Sequence, residues 1–369
     1  MEAQHPFMEQ ALALARGSIG LTEPNPRVGC VIVAADGRQV LGQGHTQPAG
    51  QPHAEIMALR DAAARGHSAG GATVYVTLEP CSHHGRTGPC CDALLAAGVG
   101  TVVAALPDPN PLVSGQGFAR LRAAGVQVVV GPGADVSREL NIGFFSRMLR
   151  HTPWLRMKIA ASLDGKTALD DGSSQWITSE AARSDGHGWR ARAGAVLTGI
   201  GTLRDDNPRL DVRYAPTSRQ PDAVVVDSRL ETPPDANIFM SGRRLFIYCA
   251  VQDAARQTAL EARGAEVIRL PGPGGKVDLA AMLRDLAGRE VNELHVEAGH
   301  QLNGSLIREG LVDELLIYLA PKLIGEGRGM AHFGPLADLA QAVALEFLSS
   351  DRVGPDLRLL ARIPGRERF

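Results

Sequence analysis

The sequence has few aromatic residues, little net charge and no long apolar run, and each shortage excludes a class of protein. Aromatic residues make up 4% of the chain and the formal net charge is −2. Neither a stacking platform for single-stranded bases nor a general attraction to nucleic acid phosphates is therefore expected. No apolar run approaches the roughly 18–20 residues of a membrane span. The expected partners are small molecules, with no nucleic acid and no membrane.

Cysteine is scarce as well, with five in 369 residues. Three of the five lie in one short segment, which favours metal ligation in a reducing compartment over disulfide bonds. The amino-terminal segment carries acidic residues and no basic region ahead of an apolar stretch, so we expect a first helix there and not a signal peptide. The cytoplasm is the expected location.

The length and the hydrophobic pattern indicate two domains of the α/β class. A chain of 369 residues exceeds one ordinary core, and strands alternate with helices in both halves. The pattern breaks near residue 150, so we predict domains at 1–148 and 153–369. The predicted strands cover residues 28–33, 72–78, 101–105, 126–130, 154–159, 195–198, 224–228, 245–250, 266–270, 293–299 and 314–321. The predicted helices include residues 7–16, 90–97, 118–124, 278–287 and 302–309.

A group of potential metal ligands lies in the first half. His53 and Glu55 precede an apolar helical pattern, and Cys81 with Cys90 or Cys91 follows at a second helix start. One imidazole and two thiolates are a three-ligand set for zinc, and a fourth position left open is typical of catalytic zinc. Glu55 need not be a ligand and could instead carry protons beside an activated water molecule. An ordinary buried thiol or a helix-start histidine would explain any one of these residues, but not the joint pattern.

This pattern resembles the zinc-dependent cytidine and deoxycytidylate deaminase superfamily, whose signature is His-x-Glu followed by Pro-Cys-x-x-Cys. The eight residues between Cys81 and Cys90 resemble the longer loop of its riboflavin-biosynthesis branch. The resemblance implies a cytidine deaminase-like three-layer α/β/α domain with Glu55 as the catalytic residue. It implies zinc ligation by His53, Cys81 and the first cysteine of the pair, Cys90, with Cys91 pointing elsewhere.

The same resemblance implies that Asn25 and His45 contact the substrate, although each could instead be a plain loop residue. His83 and His84 lie in the long loop and are not expected to be zinc ligands. Gly88 replaces a proline of the family pattern, and this change removes no chemical group.

The second half lacks a Gly-x-Gly-x-x-Gly sequence after a strand, so a Rossmann dinucleotide site is not supported. Several segments taken together resemble the reductase half of the bifunctional riboflavin-biosynthesis proteins. They are KIAASLDGKTA, SQWITS, DNPRLDVR, VEAG and APKLIG. The resemblance implies a dihydrofolate reductase-like α/β domain that uses NADPH.

Carried over residue by residue, this resemblance implies two sets of contacts. NADPH contacts are implied for Ala160, Trp176, Thr202, Asp206, Ser228 and the glycine loop of Gly299, His300, Gln301, Leu302, Asn303, Gly304 and Ser305. Substrate contacts are implied for Lys158, Ser174, Arg190, Leu210, Arg213 and Glu297. Lys158 could instead form a structural ion pair, Trp176 could be a core or surface aromatic, and the cofactor-binding aspartate could be Asp205.

The resemblance as a whole implies a bifunctional enzyme that deaminates a pyrimidine ribosyl phosphate and then reduces its ribosyl group, with Zn²⁺ and NADPH as cofactors. It also implies a homo-oligomer, either a dimer or a tetramer. A nucleic-acid deaminase with an RNA-binding second half would need a basic surface bearing aromatic residues, which the composition disfavours. A second half that binds ligand without turnover and only stabilises the first remains open.

Overall fold

The computed structural model describes residues 5–83, 88–111 and 113–369. The chain divides into two compact units, Met1–Arg150 and His151–Phe369. His84 lies outside the described residues, and the domain ranges 1–148 and 153–369 stay a prediction. Within the described part of the chain, no helix has both the length and the hydropathy needed to cross a membrane.

Helices and strands alternate along most of the described part of the first unit, apart from one pair of consecutive strands and one pair of consecutive helices. In chain order they are α1 (Pro6–Gly17), β1 (Gly29–Val33), β2 (Val40–His45), α2 (Ala54–Ala64), β3 (Thr73–Val76), α3 (Cys90–Ala96), β4 (Thr101–Ala104), α4 (Gln116–Ala123), β5 (Gln127–Val130), α5 (Ala134–Leu140) and α6 (Ile142–Arg150). The strands form one sheet in the order β2-β1-β3-β4-β5. β1 is antiparallel to both of its neighbours, whereas β3, β4 and β5 are parallel.

Two glycines on the first two strands let helices pack directly on the sheet backbone. Cys30 pairs with Gly44 across the strands, so Gly44 and the neighbouring Gly29 face opposite sides of the sheet. A Cβ at Gly29 would lie 1.9 Å from the carbonyl oxygen of Ala11 on α1, and a Cβ at Gly44 would lie 2.5 Å from Cβ of Met57 on α2. The two helices therefore cover opposite faces, and the predicted three-layer α/β/α arrangement is confirmed.

The second unit is built around a larger mixed sheet. Its elements are β6 (Trp154–Ser162), β7 (Lys166–Ala168), α7 (Glu180–Arg192), β8 (Ala195–Gly199), α8 (Ile200–Asp206), β9 (Asp222–Val226), β10 (Leu245–Cys249), α9 (Ala254–Glu261), β11 (Ala265–Arg269), α10 (Leu279–Gly288), β12 (Glu293–Val296), α11 (His300–Arg308), β13 (Glu314–Ala320), β14 (Arg328–Gly329), β15 (Glu346–Val353) and β16 (Asp356–Arg362). Nine strands pair in the order β11-β10-β9-β8-β12-β6-β13-β16-β15, and β7 pairs with β14. The large sheet is parallel from β11 to β13, and β16 and β15 continue it in antiparallel fashion.

The predicted strands are all found in the structure, and one predicted loop is wrong. The glycine loop predicted over Gly299–Ser305 consists of Gly299 alone, because α11 begins at His300. The helix starts this early because Leu302 and Leu306, four residues apart, face the same apolar cluster of the second unit. Residues 300–305 are therefore held in a fixed helical geometry.

A buried ionic network, which we call the strand network, joins four strands of the second unit. Arg156 on β6 donates to Glu293 on β12 at 2.8 Å and to Glu314 on β13 at 2.5 Å. Arg362 on β16 donates to the second oxygen of Glu314 at 2.8 Å. All four side chains are at most 7% exposed. The network fixes the position of β6 between its two neighbours, next to the strand segment that carries Lys158.

Candidate active sites

The three predicted zinc ligands, His53, Cys81 and Cys90, lie close together in the first unit. Nδ1 of His53 lies 3.6 Å from Sγ of Cys81 and 3.4 Å from Sγ of Cys90. Zinc bonds of about 2.0 Å to nitrogen and about 2.3 Å to sulfur place tetrahedral N and S ligands about 3.5 Å apart. All three ligand atoms lie within 4.8 Å of one another. The donor set and its spacing therefore fit a tetrahedral zinc ion with three protein ligands.

Local structure explains why these side chains converge. His53 is the N-cap residue of α2, and Cys90 is the first residue of α3. The backbone N–H of Cys90 donates to Sγ of Cys81 at 3.3 Å, and thiolates are stabilised at a helix amino terminus. A hydrogen bond with the Cys90 thiol lowers the pKa of Cys81 to about 4, and the same interaction, together with burial, raises the pKa of Cys90.

Glu55 lies in the first turn of α2 and is only 4% exposed. Burial first, and then the neighbouring Cys81, raise its pKa to about 7. A carboxyl group in this environment exchanges protons readily near neutral pH. It can thus serve as a proton carrier beside the ligand cluster, as the sequence predicts.

Cys91 faces a different environment from Cys90. Its thiol donates to the carbonyl oxygen of Pro80 at 3.2 Å, and burial raises its pKa to about 12. The cluster of potential ligands accordingly contains Cys90 and leaves Cys91 as a buried hydrogen-bond donor. The spacing of the residues alone leaves both cysteines open, whereas the family resemblance implies Cys90.

Glu79 is a structural residue of this site whose role the sequence did not reveal. Its buried carboxylate accepts hydrogen bonds from four backbone N–H groups, those of Asp108, Gly115, Gly117 and Phe118, at 2.8–3.2 Å. Glu79 lies two residues before Cys81, so these bonds fix the ligand-bearing segment against the start of α4. Its place directly before the Pro-Cys pair was the one available signal.

The contacts of the predicted substrate residues of the first unit do not by themselves indicate a substrate role. The backbone N–H of Asn25 donates to the carbonyl oxygen of Thr22 in a turn, at 2.8 Å. His45 ends β2, with Nδ1 3.1 Å from the carbonyl oxygen of Thr46. Both side chains are half-buried, and His83 is exposed. The substrate roles of Asn25 and His45 stay predictions.

The second unit contains a cavity of about 620 Å³ at the carboxyl ends of β6, β8 and β12. Its lining includes six basic side chains and three acidic ones, which leaves a local charge of +3. The basic residues are Lys158, Arg183, Arg190, Arg209, Arg213 and Arg328, and the acidic residues are Asp205, Asp206 and Glu297. A cavity with this charge suits phosphorylated ligands.

Glu297 is the centre of the polar contacts in this cavity. Both of its oxygens accept hydrogen bonds from the guanidinium of Arg190, and Nζ of Lys158 lies 3.7 Å from one of them. Although burial acts to raise it, these two cations hold the pKa of Glu297 well below its usual range. Burial lowers the pKa of Lys158, and Glu297 opposes that effect. Lys158 is both half-buried and within reach of a ligand, so its ion pair and a substrate role are compatible.

The cavity brings together most of the predicted reductase residues. Of the predicted substrate residues, the lining contains Lys158, Ser174, Arg190, Leu210, Arg213 and Glu297. Of the predicted cofactor residues, it contains Ala160, Trp176, Thr202, Asp206, Gly299, His300 and Asn303. Trp176 is 64% exposed, which excludes a core role. Asp206 accepts a hydrogen bond from Ser174 at 3.3 Å, whereas Asp205 pairs with Arg328.

Five predicted cofactor residues are not part of the cavity lining: Ser228, Gln301, Leu302, Gly304 and Ser305. Ser228 accepts a hydrogen bond from the backbone of Val277 at 3.2 Å. A Cβ at Gly304 would lie 1.9 Å from the carbonyl oxygen of His332, so this glycine serves close packing. The cofactor roles of these five residues stay predictions.

An NADPH molecule fits the features of this cavity. The amino terminus of α11, with its free N–H groups, opens at Gly299, and anions bind at such termini. Thr202 lies beside it, since a Cβ at Gly299 would be 3.6 Å from its hydroxyl oxygen. The surplus of basic side chains matches the phosphates of a dinucleotide.

One cavity residue, His187, was not found by sequence reasoning. It lies on α7, three residues before Arg190, and is 4% exposed. Residues three apart share a helix face, so its spacing from Arg190 was the one signal that pointed to it. Its backbone-facing nitrogen, Nδ1, accepts a hydrogen bond from the N–H of Arg213 at 3.0 Å.

Comparison with known protein families agrees with this division into two kinds of site. Residues 1–106 match the cytidine and deoxycytidylate deaminase zinc-binding region. Residues 153–359, more than half of the chain, match the RibD C-terminal domain.

Whole proteins with the same pair of domains are also similar to the chain. The riboflavin biosynthesis protein RibD of Escherichia coli is 43% identical, over 96% of this chain and 97% of its own. The RibD protein of Aquifex aeolicus is 39% identical, over 95% and 96%.

Solved structures show the same likeness. A structure of Acinetobacter baumannii RibD, 39% identical, superposes with a TM-score of 0.88 and covers 96% of this chain and 97% of its own. The diaminohydroxyphosphoribosylaminopyrimidine deaminase/5-amino-6-(5-phosphoribosylamino)uracil reductase of Thermotoga maritima, 30% identical, superposes with a TM-score of 0.85 and covers 97% of both chains.

Proposed function

The chain belongs to the RibD family of riboflavin biosynthesis proteins, and we propose on this basis that it catalyses two successive reactions. The first unit deaminates 2,5-diamino-6-ribosylamino-4(3H)-pyrimidinone 5′-phosphate. The second reduces the ribosyl group of the product to give 5-amino-6-(5-phosphoribitylamino)uracil. The observation that carries the proposal is the His53, Cys81 and Cys90 cluster with Glu55 buried beside it.

The deamination is a hydrolysis in which a C–O bond forms at the ring carbon, a C–N bond breaks and ammonia leaves. Zinc, held by His53, Cys81 and Cys90, supplies the activation of the attacking water when it is bound. Glu55 takes a proton from the water, passes it to the ring nitrogen and later helps protonate the departing amine. Asn25 and His45 bind and orient the pyrimidine.

The reduction acts on the open-chain form of the ribosylamine, whose C1′ is electrophilic. NADPH supplies a hydride to C1′ when it is bound, and a proton from solvent or from a nearby acid completes the amine. The main task of the protein is orientation. Lys158 and Glu297 hold the sugar, and Arg190 and Arg213 recognise its phosphate. The cofactor is held by the residues around Gly299, Thr202 and Trp176.

The experiment that tests this proposal follows the absorbance of NADPH with the undeaminated diaminopyrimidine nucleotide as the sole substrate. Wild-type protein is expected to oxidise NADPH. Glu55→Gln is expected to oxidise NADPH only when the deaminated compound is supplied, because the substitution removes the proton carrier of the first site alone. Glu297→Gln is the matched control, since it should release ammonia from the first substrate without oxidising NADPH.

If wild-type protein oxidises no NADPH with either compound, the reductase assignment is wrong. NADPH binding without turnover would then favour a second unit that only stabilises the first. Release of ammonia by Glu55→Gln at the wild-type rate would overturn the assignment of Glu55.

We also propose a cytoplasmic location and a homo-oligomer, either a dimer or a tetramer. The location is supported by five cysteines that form no disulfide, two of them in the zinc cluster. The oligomer rests on the family resemblance. Light scattering of the purified protein measures the second property directly, and a monomer mass would contradict it.

A further inference from the structure

His187 is a buried histidine in the lining of the reductase cavity, and its surroundings indicate that it binds a ligand. It projects from α7 into the lining of the cavity and is 4% exposed. Its neighbours there are Arg190 and Arg213, which are the proposed phosphate-binding residues. The ring also packs edge-to-face against Tyr214, with the centroids 4.8 Å apart, so its orientation is fixed.

The hydrogen bond at Nδ1 fixes the tautomer of this histidine. The backbone N–H of Arg213 donates to Nδ1 at 3.0 Å. An amide N–H only donates, so Nδ1 must carry a lone pair. The neutral ring therefore has its proton on Nε2.

The proton on Nε2 has no acceptor within the described part of the chain. The polar atom that Nε2 contacts is Nη1 of Arg190, at 3.5 Å. A guanidinium has donors and no acceptor, so the two groups face each other as donors. Nη1 also donates to the backbone carbonyl oxygen of Asp211 at 2.9 Å, so within the described residues Nε2–H is the donor that lacks an acceptor. Buried donors are normally paired, and a ligand oxygen within hydrogen-bond distance of Nε2 would satisfy it.

The charges around His187 indicate which kind of oxygen this is. Arg190 faces the ring from the same helix, Arg213 and Asp211 from the segment after α8, and Glu297 from the segment after β12. Both carboxylates are already paired, Asp211 with Arg213 and Glu297 with Arg190. Burial first, and then the two arginines, lower the pKa of His187 to about 4, so the ring is neutral at pH 7. The two carboxylates offset the two arginine charges beside the ring, but the cavity lining as a whole carries three more basic than acidic side chains, which favours an anionic ligand oxygen as the acceptor for Nε2–H.

We propose that His187 is a further substrate-binding residue of the reductase site, and that its Nε2–H donates to a phosphate oxygen of the ribosyl phosphate. The identity of that substrate rests on the proposed function, whereas the binding of a phosphate group rests on the cavity itself. In this arrangement Nδ1 holds the Arg213 segment while Nε2 holds the ligand, so one ring orients both.

Two substitutions separate these roles. His187→Asn retains an oxygen at the place of Nδ1 that can accept the N–H of Arg213, but it lacks the donor that reaches the ligand. His187→Gln places its amide nitrogen near Nε2 and keeps that donor. We expect His187→Asn to raise KM for the deaminated substrate by roughly 10- to 100-fold, the range for a hydrogen bond to a charged group. kcat and KM for NADPH should stay within about twofold, because the lost hydrogen bond stabilises the bound substrate and the transition state equally.

His187→Gln is expected to recover most of the substrate affinity. A purely structural histidine would give the reverse order, with His187→Gln the weaker variant and His187→Asn close to wild type. That order, or equal losses in both variants, would overturn the proposal.

A second measurement uses wild-type protein carrying ring-labelled histidine, followed by NMR, with inorganic phosphate as the probe. His187→Asn assigns the resonance. A phosphate near the ring favours the imidazolium, so the pKa of His187 should rise above its value of about 4. Ribose without phosphate should leave the pKa unchanged.

An unchanged pKa in phosphate, or a response to ribose alone, would rule out a phosphate oxygen as the acceptor. This measurement also separates the two proposals. If wild-type protein oxidises no NADPH but the pKa of His187 rises in phosphate, the proposed function is contradicted. His187 is then still supported as a phosphate-binding residue.

Discussion

At the level of single residues, adjacent side chains can have different surroundings and different roles, as Cys90 and Cys91 do. Cys90 lies 3.4 Å from Nδ1 of His53, whereas Cys91 donates to the backbone of Pro80. Cys90→Ser should therefore lose bound zinc and reduce deaminase activity to background, because an alcohol is a poor zinc ligand at neutral pH. Cys91→Ser should keep one zinc per chain. Metal analysis of the two purified variants checks this, and equal zinc loss in both would contradict it.

Sequence reasoning found the residues that occur in spaced motifs and missed those whose partners are distant in the chain. His53, Glu55, Cys81 and Cys90 share a recognisable spacing, so they could be predicted together. Glu79 and His187 could not, because the role of each depends on backbone groups that only the fold brings near. The carboxylate of Glu79 reaches N–H groups as far along the chain as Phe118.

At the level of elements, Glu79 fixes the start of α4. Its two oxygens accept four backbone hydrogen bonds, and an amide in its place could accept from only part of that set. Glu79→Gln should lower the free energy of unfolding of the first unit by about 1–3 kcal/mol, the cost of unpaired buried donors. Glu9→Gln, an exposed change on α1, is the control and should be near neutral. Urea unfolding measures both, and equal midpoints for the two variants would contradict this role.

For the second unit, we expect that removing a charge from the strand network lowers the free energy of unfolding by more than the Glu79 substitution does in the first. Glu314 is fully buried and accepts from Arg156 and Arg362. Burial acts to raise its pKa, but the two arginines lower it below its usual value. Removing one charge from such a group leaves the remaining cations undercompensated, so Glu314→Gln should destabilise the unit by about 3–5 kcal/mol. Thermal unfolding beside Glu346→Gln, an exposed change on β15, provides the measurement. A loss below that of the control variant would contradict it.

Elements were predictable where apolar residues cluster and unpredictable where they do not. The strands that form the parallel part of the sheet are rich in buried β-branched residues, as in Val224 and Val225. β15 was not predicted because it is an edge strand whose side chains are mostly exposed. β16 was not predicted either, and most of its side chains are only half-buried. α7 was missed because it is polar and contains Gly186 and Gly188, although it supplies His187 and Arg190 to the cavity.

For the whole molecule, each apolar cluster draws its described residues from one unit. The buried residues of the first cluster lie within residues 8–145, and those of the others lie within residues 155–318. We therefore expect two unfolding transitions in calorimetry. Removing zinc with a chelator should lower the midpoint of one transition only, because a ligand stabilises the unit that binds it.

Addition of NADPH should raise the midpoint of the other transition in the same way. A single transition that moves with both ligands would show that the units unfold together. The variants Cys90→Ser and Glu314→Gln assign each transition to a unit, since each substitution should lower the midpoint of the transition of its own unit.

The uneven distribution of charge gives the reductase cavity a sensitivity to ionic strength that the chain as a whole lacks. The formal net charge is −2, yet the cavity lining carries +3. Anionic ligands are therefore drawn toward one opening on a protein that repels them weakly elsewhere. Small ions screen this attraction over about 8 Å at physiological salt. Encounter rates for NADPH and the sugar phosphate should fall steeply with added salt, while the rate of the hydride transfer that follows should not, because that step takes place between molecules that are already bound.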